Sequence, residues 1–485
     1  MGIGDDFTLN VHQFVLGALS LFFLYFSWRD IKAQTIENLP NISRKYIGFT
    51  LASTFIGLTL FFIHEWGSVG IVLGLFLALL ITLSLYDPKY AVAFFIFMLI
   101  SRPWEFIKDE LFFSFPRDIF FICLISFLAH RIFRRKFFFH WNLTDALVLF
   151  YSAWVFFSTF VTVDPSRAMV EYGEVFIKGI IIFFLIINVI DKKEFIMPIQ
   201  TALIAAITEK AIVSFYNSII LGFVADGDRL TSVGIFENSN DIAAIMILVV
   251  PFSLAFAKKF QNKIFRYSAY FIILSFYSYL IWEAKSRGAV LGLGMMYISW
   301  FWLSAKNKKK ATILVGVGAL LVGMAMSSIK RNEADIEGST SNRMIYWTAG
   351  VNMGIRNPLL GVGYNNYNRR LLEFTNGHVG SEGKNKTIHS TWLLTLAETG
   401  FPGFILYIGI WLLSIRYAWD MRRVHPEYLM AVLSYGTAIT FLSHTYMLYP
   451  WILLGLIVAS AQFYKKLEDS MIKKSPTVDL GVRHV

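Results

Sequence analysis

The sequence is poor in the residues that stabilise soluble domains and build metal centres. It has one cysteine in 485 residues, Cys123, and so can form neither an intrachain disulfide nor a Cys-Cys metal site. Charged residues make up only 16% of the chain, whereas 56% of the residues are hydrophobic and the mean hydropathy is +0.56. This balance excludes an ordinary soluble domain and is typical of a polytopic membrane protein.

Several sequence motifs that would indicate a reaction are also missing. The chain contains no Walker A sequence, no HExxH zinc pattern and no GxSxG elbow, which argues against nucleotide-driven chemistry and the common hydrolases. Its N-terminus, with Asp5 and Asp6 and no basic region, does not resemble a cleaved signal peptide. The net charge of +11 is spread over short loops, and without a basic domain it does not predict nucleic-acid binding.

Long apolar runs dominate what is present. They occur at about 11–28, 46–63, 68–86, 90–101, 118–130, 145–163, 173–190, 196–222, 240–257, 267–284, 288–304, 311–327, 391–415, 428–445 and 449–464. We therefore predict an all-α polytopic membrane protein with about 14 transmembrane helices, within a range of 12 to 15. Residues 1–474 are expected to form a single transmembrane domain, and residues 475–485 a disordered cytoplasmic tail.

The basic loops predict the orientation of the chain. Lysines and arginines fall on one side of the predicted spans, at 29–45, 131–136, 192–193, 258–266, 306–310, 416–423 and 465–474. Such residues are retained in the cytoplasm, so this side is predicted to be cytoplasmic. The longest polar segment, 328–390, then lies outside as one large external segment.

This external segment has a helical pattern of its own. Arg343 and Trp347 stand four residues apart, on one face of a helix that is expected to lie at the membrane interface. Asn357-Pro358 should end that helix, because proline disfavours helical backbone in the residue before it. Gly361 and Gly363 then permit a turn that side chains would block.

Cations also gather near the external ends of spans. They are Lys285, Arg287, Arg343, Arg369 and Arg370. Arginine makes forked, permanently charged contacts with phosphate oxygens, although a single arginine at a helix end commonly reaches for lipid head groups. As a set, these cations predict a site for a lipid-linked diphosphate, whose charge would lie at this depth while its tail stays in the bilayer.

Two further residues of this region carry titratable groups. His389 stands at the head of an apolar helix, either as a general base that takes a proton from a sugar hydroxyl or as a helix-capping residue. Glu398 follows nine residues later within the helix, where a buried carboxylate needs a partner and can equally be structural.

The order and spacing of these motifs resemble the O-antigen ligase and polymerase superfamily. The motifs are Ser286-Arg287-Gly288-Ala289, Arg343-Met344-Ile345-Tyr346-Trp347, Asn357-Pro358-Leu359-Leu360-Gly361-Val362-Gly363, and His389 followed by Leu393, Glu398, Gly400 and Gly403. Glu237-Asn238-Ser239-Asn240 is similar to the Asn-Pro-Asn segment of that family. The resemblance runs from about residue 230 to 415, and Ser390 stands where the family commonly has asparagine.

The resemblance implies a GT-C-like enzyme of the bacterial inner membrane, with its active site on the periplasmic face. Such an enzyme transfers a glycan from undecaprenyl diphosphate to the hydroxyl of a lipid or glycan acceptor, as in lipopolysaccharide and polysaccharide biosynthesis, without a metal or cofactor. By position, Arg287 and Arg343 match the diphosphate-binding arginines and His389 matches the histidine that activates the acceptor. Lys285, Asn240, Arg369 and Glu398 are further candidates for substrate contacts. Direct displacement of the diphosphate would invert the anomeric carbon.

Three alternatives remain open from the sequence. One is a repeat-unit polymerase of the same superfamily. Another is a multi-span transporter that uses the Glu209-Lys210 pair as its coupling site. A third is a metal-dependent glycosyltransferase, with a divalent ion held by Asp226 and Asp228.

Overall fold

The structure is a computed structural model of the chain. It describes residues 88–102, 115–133, 141–190, 193–225, 228–232, 234–307, 333–375 and 386–474, with a few isolated positions between 309 and 323. The apolar runs at 11–28, 46–63 and 68–86, most of the run at 311–327 and the tail at 475–485 lie outside the described residues. Of the external segment, 328–332 and 376–385 lie outside them as well.

All regular elements within these ranges are helices, as the sequence predicts. We number the α-helices in chain order: α1 Pro88–Ser101, α2 Phe115–Phe133, α3 Leu143–Ser158, α4 Pro165–Glu171, α5 Ile177–Val189, α6 Lys193–Phe215, α7 Ser239–Ala257, α8 Lys263–Glu283, α9 Arg287–Ser304, α10 Glu333–Arg356, α11 Tyr367–Phe374, α12 Thr391–Asp420, α13 Pro426–Ile439 and α14 Leu448–Lys474. Short π-helical turns at Tyr172–Phe176 and Tyr216–Ile220 adjoin α5 and α6.

Five helical segments in the described part of the chain are long and apolar enough to cross a membrane. They are Leu143–Val161, Phe195–Ile220, Ser239–Ala257, Lys263–Glu283 and Thr391–Asp420. The described part of the protein is therefore all-helical, with several helices that have the length and composition of membrane spans. The total of about 14 spans and the external placement of 328–390 stay predictions.

Polar residues cap the three helices that begin at the candidate site. The side chain of Asn238 accepts a hydrogen bond from the Asn240 amide (2.9 Å) at the start of α7. Ser286 caps α9 and Ser390 caps α12 in the same way, each through its hydroxyl. Because an N-cap satisfies amides that the helix leaves free, these residues define where each helix begins.

Helices α9 and α13 approach each other closely along two glycines of α9. A β-carbon on Gly288 would lie 2.9 Å from Cβ of Phe441, and one on Gly292 would lie 2.8 Å from the backbone oxygen of Ser434. Small residues four apart let helix backbones meet in this manner. The glycine that follows Arg287 thus fixes the first turn of α9 against the segment after α13.

A kink in α12 receives the turn that follows α10. Gly400 has φ 66° and ψ −170° inside α12, and the Phe401 amide donates to the Pro358 carbonyl (2.8 Å). The Val362 amide likewise donates to the Ala397 carbonyl (2.8 Å). The turn with Gly361 at φ 62° therefore lies directly on the kink. As expected, α10 ends at Arg356, immediately before Asn357-Pro358.

One helix boundary differs from the sequence prediction. The apolar run at 428–445 was expected to be helical throughout, but α13 ends at Ile439 and irregular backbone follows up to α14. The Thr391 hydroxyl donates to the Leu442 carbonyl (2.7 Å) and accepts from the His444 amide (2.9 Å). These bonds to the start of α12 replace the helical bonds that α13 would otherwise make here.

Candidate active site

Several helix ends meet at one end of the bundle. Helices α7, α9 and α12 begin there, and α8 ends there just before Lys285. Seven residues were predicted as site residues, and the structure brings five of them to these helix ends or to the adjoining α10. These five are Asn240, Lys285, Arg287, Arg343 and His389.

His389 occupies the residue before the N-cap of α12. Its backbone has φ 49°, a left-handed conformation that is uncommon for residues other than glycine. The hydroxyl of Thr387 lies 3.3 Å from Nε2 of the ring. Ser390, which stands in place of the usual asparagine, accepts from the Leu393 amide and so caps the helix. Thr387 is therefore a neighbour that can orient the imidazole.

Helix α10 holds the residue next to His389. Nε1 of Trp347 donates to the Ile388 carbonyl (3.0 Å), and Ile388 is fully buried. Arg343 lies one turn before Trp347 on the same helix, as its spacing predicted. One face of α10 thereby fixes the backbone at His389 and also carries Arg343.

Lys285 and Arg287 form the turn between α8 and α9. Lys285 has φ 47°, and its amide donates to the Trp282 carbonyl (2.9 Å), which ends α8. Arg287 is the first residue of α9, and its Nε is buried without a hydrogen-bond partner among the described residues. A buried guanidinium N–H without a partner favours binding of an oxygen ligand, because a buried donor that makes no hydrogen bond costs about 1–3 kcal/mol.

Arg229 ties this turn to the start of α7. Its Nε donates to the Ala284 carbonyl (3.0 Å) and its Nη2 to Oδ1 of Asn240 (2.8 Å). Asn240 therefore acts here as a partner of an arginine at the site. The sequence prediction omitted Arg229, which lies in a loop that the family motifs do not cover.

Asp241 and His444 form a second pair that the prediction omitted. Nε2 of His444 lies 3.0 Å from Oδ1 of Asp241, and Nδ1 lies 2.8 Å from the Tyr435 hydroxyl. Nε2–H of His444 can thus donate to the Asp241 carboxylate while Nδ1 accepts from the Tyr435 hydroxyl. The His444 side chain is 1% exposed, whereas that of Asp241 is 24% exposed and reaches the open part of the site.

The charges around His389 favour its neutral form. Burial, which is the largest cause, and the nearby charges of Arg343, Lys386 and Arg229 together lower the pKa of His389 to about 4. Asp241 acts in the opposite direction. At neutral pH the imidazole is therefore uncharged and able to accept a proton.

Two of the predicted site residues lie apart from this cluster. Both oxygens of Glu398 accept backbone amides, from Tyr367 (2.8 Å) and Asn365 (3.1 Å), so this carboxylate anchors the chain between the turn and α11. Arg369 faces Asp164, with Nη1 3.7 Å from Oδ2, on the outside of α11. Neither contact brings these residues towards His389.

The structure describes three of the four residues named for the two alternative classes. Glu209 and Lys210 are buried within α6. Asp228 is in an exposed turn, and Asp226 lies outside the described residues. Among the residues that the structure describes, no three His, Cys, Asp or Glu side chains gather in a group that could hold a metal ion.

Comparison with known proteins gives one family. The model described as O-antigen ligase matches residues 269–408, less than a third of the chain. This range contains Arg287, Arg343 and His389, and it leaves Asp241 and His444 outside. No curated protein matches the chain. The family match confirms, for this part of the molecule, the resemblance to the O-antigen ligase and polymerase superfamily that the sequence motifs predicted.

Proposed function

We propose that the protein transfers a glycan from undecaprenyl diphosphate to an acceptor hydroxyl at the periplasmic face of the bacterial inner membrane. The observation that carries this proposal is the neutral, half-buried His389 next to Arg343, at the same end of the bundle as Arg287, whose Nε has no hydrogen-bond partner among the described residues. The O-antigen ligase match over 269–408 supports the same reaction class.

The two arginines would bind the donor and stabilise the leaving group. Arg287 sits at the first turn of α9, where the helix N-terminus also favours an anion. Arg343 approaches from α10 on the His389 side. Their charge would matter most when the bond to the sugar breaks, because the diphosphate gains charge at that moment.

His389 would act as the general base. In a direct displacement, the acceptor oxygen forms a bond to the anomeric carbon while the bond from that carbon to the diphosphate oxygen breaks. The acceptor proton passes to the neutral ring of His389, and the lipid diphosphate leaves with the electron pair. Attack opposite to the leaving group inverts the anomeric carbon.

Asp241, held by His444, would partly offset the positive charges around His389. Arg229, Arg343 and Lys386 all act on His389, and Asp241 is the acid that opposes them. His444 holds one oxygen of Asp241 at 3.0 Å and leaves the other for the site. We assign Asp241 a positioning and electrostatic role towards His389.

The decisive experiment separates donor binding from transfer in His389→Ala. Transfer of labelled glycan would be measured in membranes that contain the native acceptors, and donor binding with the purified protein. We expect transfer to fall by about a hundredfold or more, the scale of losing one positioned acid-base group, while donor binding changes little. A variant that binds the donor poorly yet keeps its turnover at saturation would remove His389 from the role of base.

Substitution of the arginines tests the diphosphate site. Arg287→Lys and Arg343→Lys keep the charge but lose the forked geometry, so donor affinity should fall roughly tenfold or more for each. Arg370→Lys is the matched control, because Arg370 pairs with Glu373 at the surface of α11. Equal donor affinity in all three variants would contradict the proposed arginine contacts.

A chelator separates this mechanism from the metal-dependent alternative. Transfer by the purified protein should continue in EDTA, because His389 and the arginines supply the base and the countercharge. Abolition of transfer by EDTA, with recovery on adding a divalent ion, would favour the alternative at Asp226 and Asp228.

A further inference from the structure

A large cavity lies at the other end of the helix bundle, away from His389. Its volume is about 910 Å³. Helices α7, α9 and α12, which begin at the candidate active site, have their last residues beside it. Since α7 has 19 residues, its two ends are about 28 Å apart, close to the thickness of a hydrocarbon core. The cavity is thus a separate site.

Four cations line this cavity. Lys258 and Lys259 follow the end of α7, and Arg422 and Arg423 follow the end of α12. Of the described residues in its lining, Glu427 is the one acid, and its carboxylate pairs with Nδ1 of His425 at 2.8 Å. The lining therefore carries an excess of positive charge, at the end of the bundle that the basic loops predict to be cytoplasmic.

Aromatic side chains stand beside these cations. Trp302 and Trp419 stack with their ring centroids 5.8 Å apart and an interplanar angle of 30°. Cζ of Arg422 lies 4.2 Å from the centroid of Trp419. Tryptophan is enriched where membrane meets water, so the cations lie at head-group depth. The cation–π contact and the stacking hold the Arg422 guanidinium in place.

Much of the remaining wall of the cavity is apolar. Ile204, Pro251, Phe252 and Met430 contribute to it from α6, α7 and α13. A free inorganic anion would interact with the cations but would gain no binding energy from the apolar residues. A lipid with a phosphate head group uses both, since its acyl chains can lie along the apolar residues while its phosphate meets the cations.

We propose that this cavity binds an anionic phospholipid of the cytoplasmic leaflet. The phosphate contacts Arg422, Arg423, Lys258 and Lys259, and the beginning of the acyl chains fills the apolar part. Its volume falls within the range of ligand pockets and is sufficient for a head group with the adjoining chain segments. The site is independent of glycan transfer and adds lipid recognition to the cytoplasmic end of the bundle.

Native mass spectrometry of the purified full-length protein tests this proposal. The probes are phosphatidylglycerol, which is anionic, and phosphatidylcholine with the same acyl chains. We expect phosphatidylglycerol to bind at least tenfold more tightly. The double variant Arg422→Gln/Arg423→Gln should weaken its binding by about 30-fold, since each cation near a membrane surface contributes a factor of about five.

The matched control removes two charges at the same end but outside the cavity lining. Arg416→Gln/Lys465→Gln does so, because Arg416 faces Asp420 on the exposed side of α12 and Lys465 lies exposed on α14. This control should bind phosphatidylglycerol as the unmodified protein does. Equal weakening in both double variants would show a general effect of surface charge and would overturn the proposal.

Two further outcomes would also overturn it. If phosphatidylcholine binds as tightly as phosphatidylglycerol, the cations do not select the ligand. If millimolar inorganic phosphate displaces the lipid completely, the site is one for a free anion. The unfolding midpoint of each variant without lipid controls for folding. Should the double variant fail to fold, Arg423→Gln alone is expected to weaken phosphatidylglycerol binding about fivefold.

Discussion

At the scale of single residues, the low pKa of His389 limits its strength as a general base, and binding of the donor can raise that pKa. A pKa of about 4 makes the ring neutral but a weak base at pH 7, whereas a general base works best with a pKa near the operating pH. Under the proposed mechanism, a bound diphosphate places negative charge near the ring and stabilises its protonated form. Donor binding would then raise the pKa of His389 towards neutrality.

The free and the donor-bound protein should therefore have different pH profiles. Because the pKa of His389 is lowered in the free protein, kcat/KM for the donor should stay level down to about pH 5 and fall only as the pH approaches 4. The acidic fall in kcat should occur at a higher pH than that in kcat/KM, because kcat reports the donor-bound protein. Steady-state transfer measured from about pH 3.5 to about pH 8.5 covers the acid limbs of both quantities.

Asp241→Asn supplies the control for this prediction. Asp241 raises the pKa of His389, so its neutralisation should move the acid limb of kcat to lower pH and reduce the rate at pH 7. A purely structural role would reduce activity at all pH values without moving the limb. Coincident limbs for kcat and kcat/KM in the unmodified protein would contradict the proposed tuning by the donor.

The predicted residues that the structure places in this cluster belong to motifs with a recognisable local sequence pattern. Arg343 and Trp347 follow a helical period, and His389 precedes an apolar helix, so their placement could be predicted from spacing alone. Arg229 and His444 reach the site through contacts between distant parts of the chain. Such contacts leave no local pattern in the sequence. His444 also lies within an apolar run, which indicates only a membrane span.

At the scale of the elements, the ends of the helices decide the geometry of the site. The stop at Asn357-Pro358 and the glycine turn could be predicted, because proline and glycine restrict the backbone directly. The early end of α13 could not, since hydrophobicity continues through Leu442 and the helix stops in favour of bonds to Thr391. Glu398 was offered as a substrate contact, and the structure shows it holding backbone amides.

Two glycines of α12 provide a test of the kink. Gly400 has φ 66° and ψ −170°, a conformation that other residues essentially avoid, and an added β-carbon would lie 2.3 Å from the Leu359 carbonyl. Gly409 is ordinary helix with its nearest neighbour, Cδ1 of Leu147, at 3.4 Å. Gly400→Ala should lower the unfolding free energy by about 2 kcal/mol or more, whereas Gly409→Ala should leave it unchanged or slightly higher.

Thermal unfolding of the two variants in detergent measures this difference. The reference is the unmodified protein under the same conditions, and activity assays would report whether His389 stays in position. A similar midpoint for both variants would mean that the kink at Gly400 is not required to seat the turn after α10.

At the scale of the whole molecule, the two ends of the bundle carry different chemistry. One end has His389 with Arg229, Arg343 and Asp241, and the other has the cavity lined by Arg422 and Arg423. If the basic loops are cytoplasmic, the first end faces the periplasm, where a flipped lipid-linked glycan would be available. The assignment of the two sites to the periplasmic and cytoplasmic faces thus depends on the orientation of the chain.

Cysteine labelling tests that orientation directly. The native Cys123 is buried, so an impermeant maleimide should react only with introduced cysteines. Glu373 on α11 is at the His389 end with its side chain 53% exposed, and Asn307 follows α9 at the cavity end. We expect Glu373→Cys to react in intact spheroplasts and Asn307→Cys to react only after permeabilisation. The reverse pattern would place His389 in the cytoplasm, and the periplasmic reaction and the cytoplasmic lipid site would then both be wrong.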